Sequence, residues 1–219
     1  MPNSDNKKLA VVLVAAALFA VQAASAAPTL INGDFNSPGL AGWTVESGTV
    51  LDGGGFAAFE ESAVISRLSQ EFMLPMGAME LSFDVNMMSF GGEPSTEIFT
   101  ASLFDPYAPF DPPINISGQT YFYYLDSRGT EDTATAATVT GGQIRSVTLD
   151  VSGLTTAGDI DVLLTFDFLG EDDEITTTVF LDNVKVSTAA QVIPAPGALL
   201  LAGIGTVLVG WFRRSRTMR

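Results

Sequence analysis

The stretch Ile160-Asp161-Val162-Leu163-Leu164-Thr165-Phe166-Asp167-Phe168-Leu169 decides the fold class. Positions 160, 162, 164, 166 and 168 are all apolar, and the intervening positions carry Asp161, Thr165 and Asp167 besides Leu163 and Leu169. A strand turns successive side chains to opposite faces, so this alternation puts one continuous apolar face against a core. Leu81-Ser82-Phe83-Asp84-Val85-Asn86-Met87 repeats it, with Leu81, Phe83, Val85 and Met87 on one side. Further strands are expected at 45–50, 56–59, 63–68, 69–74, 98–104, 119–125, 144–151 and 176–187. Gly53-Gly54-Gly55, Glu60-Glu61 and Pro75 punctuate them. A short strand ending in an Asn32-Gly33 turn precedes them, and the Thr/Ala/Gly-rich residues 130–142 read as a long turn. No segment of the body shows a long 3.6-residue period, and there is no internal repeat. About ten short strands imply an all-β, antiparallel sandwich.

The chain has 219 residues, 25 acidic against 10 basic, with no histidine and no cysteine. Without those two residues the Ser-His-Asp and Cys-His mechanisms and the usual zinc sites are excluded, as are disulfides. Any chemistry must use carboxylates, tyrosine, lysine or a hard metal ion. Residues 28–192 hold Arg67, Arg128, Arg145 and Lys185 against 24 acids, a net charge of −20. That surface repels nucleic acid and anionic lipid and attracts cations and basic polymers. Solvation of a protein working outside the cell explains the same charge.

The ends differ from the body. Lys7 and Lys8 precede an apolar run at 9–21 and small residues through Ala27, the form of a secretory signal cut after Ala26 or Ala27. A retained N-terminal membrane helix is the alternative, although 13 residues are short for a span. At the other end, residues 195–212 are 18 in number and uncharged. As a helix they cover about 27 Å, close to the roughly 30 Å of a bilayer's hydrocarbon. Four of the chain's ten basic residues, Arg213, Arg214, Arg216 and Arg219, follow at once and favour the cytoplasmic side. The expected organisation is a signal helix at 1–27, one sandwich domain at 28–192 and a tail at 193–219 containing a transmembrane helix.

The Ile193-Pro194-Ala195-Pro196 turn, the Gly/Leu/Val-rich span and the arginine cluster resemble the bacterial PEP-CTERM tail. Ala195 stands where the commonest form of that motif has Glu. The resemblance implies an exported protein of the cell envelope or extracellular matrix. Its partners would be signal peptidase, an exosortase-type enzyme reading Pro194, Ala195, Pro196, Arg213, Arg214 and Arg216, and the membrane itself. Whether the tail is cut off or stays as an anchor is open.

Asn32-Gly33-Asp34-Phe35-Asn36 with Gly42-Trp43, and the closing Leu181-Asp182-Asn183-Val184, resemble the two ends of galactose-binding-like and carbohydrate-binding jelly-roll modules. The resemblance implies a jelly-roll fold and an extracellular polysaccharide as partner. It also implies a structural calcium joining the first and last strands at Asn36 and Asp182. Asn36 occupies a position where Glu or Asp is usual, and Asp34, on the same strand face by parity, is the substitute. Calcium needs six to eight oxygens, so backbone and water would complete the shell. The alternative is an Asp182 satisfied by neighbouring backbone amides, with no cofactor required.

Candidate glycan contacts are Trp43, Tyr107, Tyr121 and Tyr123. Tyr107 lies in the Pro- and Asp-rich loop 105–113, a candidate binding rim. In Tyr121-Phe122-Tyr123-Tyr124, strand parity pairs Tyr121 with Tyr123 and Phe122 with Tyr124. Either pair enters the core, and the other forms ordinary edge packing or a sugar platform. Glu171-Asp172-Asp173-Glu174 is expected to be a solvated hairpin loop. Asp84, Asp161 and Asp167 are available for carboxylate-based glycan cleavage, but nothing marks a pair. The reading is therefore a non-catalytic adhesive or structural protein with glycan contact. A glycan hydrolase or lyase and a plain membrane-tethered domain are the alternatives. The mass of the protein recovered from cells should show both ends removed, and Pro194→Ala with Pro196→Ala should leave the tail attached; an unchanged mass and location would make the tail an ordinary anchor.

Overall fold

The computed structural model describes residues 30–62, 65–90, 97–108, 111–170 and 176–188. The signal at 1–27, the tail at 193–219 with its six sorting-motif residues, and the acidic run at 171–174 lie outside them. Among the described residues there is no α-helix, only a 3-10 turn at Pro38–Leu40, and twelve strands. These are β1 (Thr44–Ser47), β2 (Thr49–Asp52), β3 (Ala57–Glu60), β4 (Ser66–Leu74), β5 (Ala78–Phe90), β6 (Ile98–Phe104), β7 (Tyr123–Asp126), β8 (Glu131–Thr133), β9 (Ala137–Gly141), β10 (Arg145–Asp150), β11 (Ile160–Leu169) and β12 (Thr176–Thr188).

They form two antiparallel sheets. Sheet A runs β1-β4-β11-β6-β7-β8 and sheet B runs β2-β3-β12-β5-β10-β9. Without the edge strands β1, β2, β8 and β9, the two inner quartets are β4-β11-β6-β7 and β3-β12-β5-β10. The chain passes back and forth between them in the order of a double-sheet jelly roll. The all-β sandwich read from strand periodicity, in the jelly-roll form that the resemblance implies, is therefore the fold of the described residues.

The alternation that predicted β11 is its burial pattern. Val162, Leu164, Phe166 and Phe168 are at most 1% exposed and face sheet B. Leu81, Phe83 and Val85 of β5 and Val179, Leu181 and Val184 of β12 answer from the other side. An aromatic cluster joins the sheets. Phe166 lies 5.1 Å from Phe83, 5.9 Å from Trp43 and 6.0 Å from Phe99 between ring centroids.

Several expectations fail locally, each for a physical reason. Residues 30–36 are not a strand: Asn32 and Phe35 have φ of 51° and 48°. Instead Gln70 clamps the segment, accepting from Ile31 N–H at 2.8 Å and donating to Ile31 O at 3.0 Å and Gly42 O at 2.7 Å. The expected strand at 45–50 is two, because Gly48 at φ 66° carries the chain from sheet A to sheet B. A Cβ there would lie 2.4 Å from Ser66 Cα. Residues 69–74 continue the preceding strand, since no breaker separates them. The turn expected at 130–142 contains β8 and β9, edge strands whose threonines need no apolar face. The strand expected from 119 begins at Tyr123. The acidic run also does not close a hairpin, because β11 and β12 belong to different sheets.

Phe166→Ala should destabilise the domain by about 3–5 kcal/mol, the cost of emptying an aromatic site in a core, with equilibrium urea unfolding as the measurement.

Candidate functional site

Outward positions of sheet B build a groove of about 330 Å³ lined by Phe56, Asp84, Val85, Asn86, Ile144, Phe180, Asp182 and Asn183. β12 pairs with β5 so that Phe180 faces Asn86 and Asp182 faces Asp84. These residues alternate with the buried Val179, Leu181 and Val85, so the pleat sends them outward. Phe56, in the turn before β3, meets Phe180 edge to face at 5.3 Å and 78°. Ile144, 60% exposed, borders the groove.

A β-bulge between Asp182 and Lys185 shapes one end. Asn183 there has φ 54°, an uncommon conformation for a residue with a side chain. The bulge re-aims the side chains around it. Asn183 Nδ2 donates to Asp84 Oδ2 at 2.9 Å and Asp182 Oδ2 at 3.3 Å, while its backbone N–H donates to Asp182 Oδ1 at 2.6 Å. Ser146 Oγ donates to Asp84 Oδ1 at 2.6 Å. Asn86 Oδ1 is buried and has no hydrogen-bond partner. Burial first, and then the charges of Asp84 and Asp34, hold the Asp182 carboxyl above its ordinary value against the lowering effect of the Asn183 N–H.

The first and last segments of the described domain do meet, as Val184 N–H donates to Gly33 O at 2.8 Å. A Cβ on Gly33 would lie 1.8 Å from Val184 O, so only glycine permits this approach. Of the three residues expected at a calcium, Asp34 and Asn36 do not share a strand face, because the segment is a turn. They bond to each other instead: Asp34 Oδ2 accepts from Asn36 Nδ2 at 2.8 Å, which holds Asp34 below its ordinary pKa. Asp182 is held by Asn183. A calcium shell here would need backbone carbonyls and water beside these side chains. Among the described residues no group of three or more acidic side chains is placed to hold a metal.

The expected glycan contacts separate. Trp43, 8% exposed, is a core ring whose Nε1–H donates to Asn32 O at 3.1 Å. Tyr123 is fully buried; its hydroxyl donates to Glu131 at 2.7 Å, and burial pushes its pKa up. Neither ring is at the surface. Parity misled at the tyrosine run because Tyr121 and Phe122 precede β7, so both Phe122 and Tyr123 turn inward. Tyr121 and Tyr124 are the half-buried pair, 5.9 Å apart, lining a groove of about 550 Å³ with Gln119 and Asp132. Tyr107 is 80% exposed beside a groove of about 590 Å³ with Phe104, Asp105, Asp111 and Asp161. The charge of Asp161, whose carboxylate accepts its hydroxyl at 3.5 Å, raises the Tyr107 pKa.

Of the carboxylates considered for glycan cleavage, Asp167 is committed to a bidentate pair with Arg67 at 2.6 and 2.8 Å. Phe56, Asn86, Phe180 and Asn183 were missed. Phe180 sits between Val179 and Leu181 in an unbroken apolar run, so the sequence carries no sign of which side faces out.

No family model matches the sequence, and no curated protein matches it. Twenty solved chains match the structure. One is the enzymatically active domain of tailspike protein 4 of bacteriophage CBA120, at 12% identity and TM-score 0.43; the match covers 74% of this chain and 21% of that one. Another is TmCBM27, a carbohydrate-binding module that recognises mannan, at 15% identity and TM-score 0.42, covering 71% and 94%. A third is TmCBM61, solved with β-1,4-galactotriose, at 16% and 0.41, covering 74% and 99%.

Because the folded state holds the Asp182 proton more tightly than the unfolded chain, this group's contribution to stability is full below the ordinary carboxylate range. It is lost as pH rises through the raised value. Asp182→Asn should therefore melt above the wild type at neutral pH, with the gap closing in acid; thermal melts across pH measure it.

Proposed function

We propose that the chain is an exported, non-catalytic protein of the cell envelope or extracellular matrix whose sandwich binds a glycan and whose tail carries delivery. The observation that supports binding is the sheet B groove, where Phe56 and Phe180 stand half-buried beside Asp84, Asn86, Asp182 and Asn183. A sugar ring presents an apolar C–H face and a rim of hydroxyls. Two outward aromatic rings among polar side chains offer matching surfaces for both. Tyr107 and the Tyr121–Tyr124 pair, on grooves at the sheet A side, would extend contact along a polymer.

Delivery in this proposal belongs to the ends. Signal peptidase would remove residues 1–27, the span at 195–212 would hold the chain in the membrane, and an exosortase-type enzyme would read Pro194-Ala195-Pro196 and the arginines. The −20 charge of residues 28–192 speaks against nucleic acid as a partner. A structural calcium at the junction of residues 33–36 with β12 would need the Asn36 amide turned so that Oδ1 replaces Nδ2 beside the Asp34 carboxylate.

A second reading, a carboxylate-based glycan hydrolase or lyase, draws on one observation. Asp182, with its proton held above the ordinary range, faces Asp84 across the ladder. Unequal carboxylates in a cleft are the requirement for acid and base roles.

Phe180→Ala should weaken binding of soluble glycans by about 10-fold or more, on the scale of a lost aromatic contact, as read by glycan array followed by calorimetry. Reducing ends released by the wild type and abolished by Asp182→Asn would favour the enzyme, and a blank array would favour a plain tethered domain. Affinity and melting temperature unchanged in excess chelator would remove the calcium.

A further inference from the structure

The sheet B groove is rich in acceptors and short of donors. Asp84 and Asp182 accept only when ionised. The Asn183 amide spends its N–H groups on those two carboxylates, and Ser146 spends its proton on Asp84. Asn86 Oδ1 is buried without a partner, which costs free energy until a donor arrives. No lysine or arginine lines the groove; Lys185, opposite Ser82, is exposed beyond it.

Asp84 and Asp182 also stand directly opposite each other, where like charges destabilise a sheet. Natural sequences more often place opposite charges or threonines at such a pair. Neither carboxylate forms an ion pair with a lysine or arginine among the described residues, so the repulsion is not relieved by a cation of the protein's own. The walls beside the carboxylates are the rings of Phe56 and Phe180, whose faces attract a cation held over them.

Resting on the glycan-binding reading above, we propose that the ligand of this groove is a glycan with free, protonated amino groups, its ammonium against the open lone pairs of Asp84 and Asp182 beside the Asn183 amide and its C–H face against Phe180. An ammonium supplies three donors and the missing positive charge at once. The ring hydroxyls are left for the Asn86 side chain on the groove wall, which a bare inorganic cation would not serve. A metal ion would also leave the apolar surface of the two phenyl walls uncovered. An N-acetylated or neutral sugar brings donors without charge, and an acidic sugar meets a field of its own sign.

Calorimetric titration of the protein with a glucosamine oligomer, its fully N-acetylated counterpart, a neutral glucose oligomer of equal length and an oligolysine peptide tests this. The amine oligomer should bind about 10- to 100-fold tighter than either other sugar, the range of a charged hydrogen bond. Asp84→Asn with Asp182→Asn should abolish the preference, whereas Glu60→Gln with Glu80→Gln, removing the same charge at exposed positions outside this groove and those of Tyr107 and Tyr121, should keep it. If circular dichroism shows the first pair unfolded, Asn86→Leu reads the same groove and should weaken the amine oligomer. Equal affinity for amine and neutral oligomers, lost in Phe180→Ala, overturns the amino-sugar assignment and leaves glycan binding standing. Equal losses in the two double variants would assign the attraction to overall charge and overturn the site. Oligolysine binding as tight as the amine sugar overturns the glycan class, and no binding to any sugar overturns both readings.

Discussion

Sheet B hangs on the ladder between β5 and β12, which runs from Thr176 opposite Phe90 to Thr188 opposite Ala78. Its inward residues, Leu81, Phe83, Val85, Val179, Leu181 and Val184, supply the sheet B half of the core. Its outward residues, Asp84, Asn86, Phe180 and Asp182, are the groove. Because side chains alternate strictly along a strand, core and groove are fixed by the same register: a slip by one residue would send the carboxylates inward and the leucines out. The bulge at Asp182–Lys185 shifts the register by one, so that Leu181 and Val184, of opposite parity, both face the core, and it turns Asn183 across the two carboxylates.

Acidic residues dominate this domain, and the fold disposes of them in distinct ways. Some cap turns, as when Asp52 accepts from the N–H groups of Gly39 and Gly54 and Asp150 from Ser152, which lowers both pKa values. Others use the few bases available, in the Arg67–Asp167 pair and the Arg145–Glu131 pair at 3.1 Å. Glu131 also accepts from the buried Tyr123, so this acid ties β8 of sheet A to β10 of sheet B. Asp182 differs from these, since neither a base nor a set of turn amides compensates its burial. That contrast separates a functional candidate from the general acidity of the chain.

The aromatic residues divide along the same line. Eight of the largest fully buried side chains are phenylalanine or tyrosine, and they knit the sheets through Phe83, Phe99 and Phe166. Phe56, Phe180, Tyr107, Tyr121 and Tyr124 stay at the surface. A core already closed by its own rings leaves these without a structural duty, and they lie on grooves that also carry hydrogen-bonding groups.

By itself the sequence determined the class of fold, because the period-two alternation in β5 and β11 is local and needs no partner to be read. It also determined the acidity and the absence of histidine and cysteine chemistry. Only the tertiary structure decided which aromatic rings are available. Trp43 and Tyr123 look like surface contacts in the sequence, but one fills the space beneath residues 30–36 and the other the gap between β6 and the core. Phe180 hides in an apolar run until its pairing with Asn86 turns it outward. Asp84 and Asp182, 98 positions apart in the chain, are a pair only because β5 and β12 are neighbours. Pairing between distant strands is set by the packing of the whole core, and no local pattern records it.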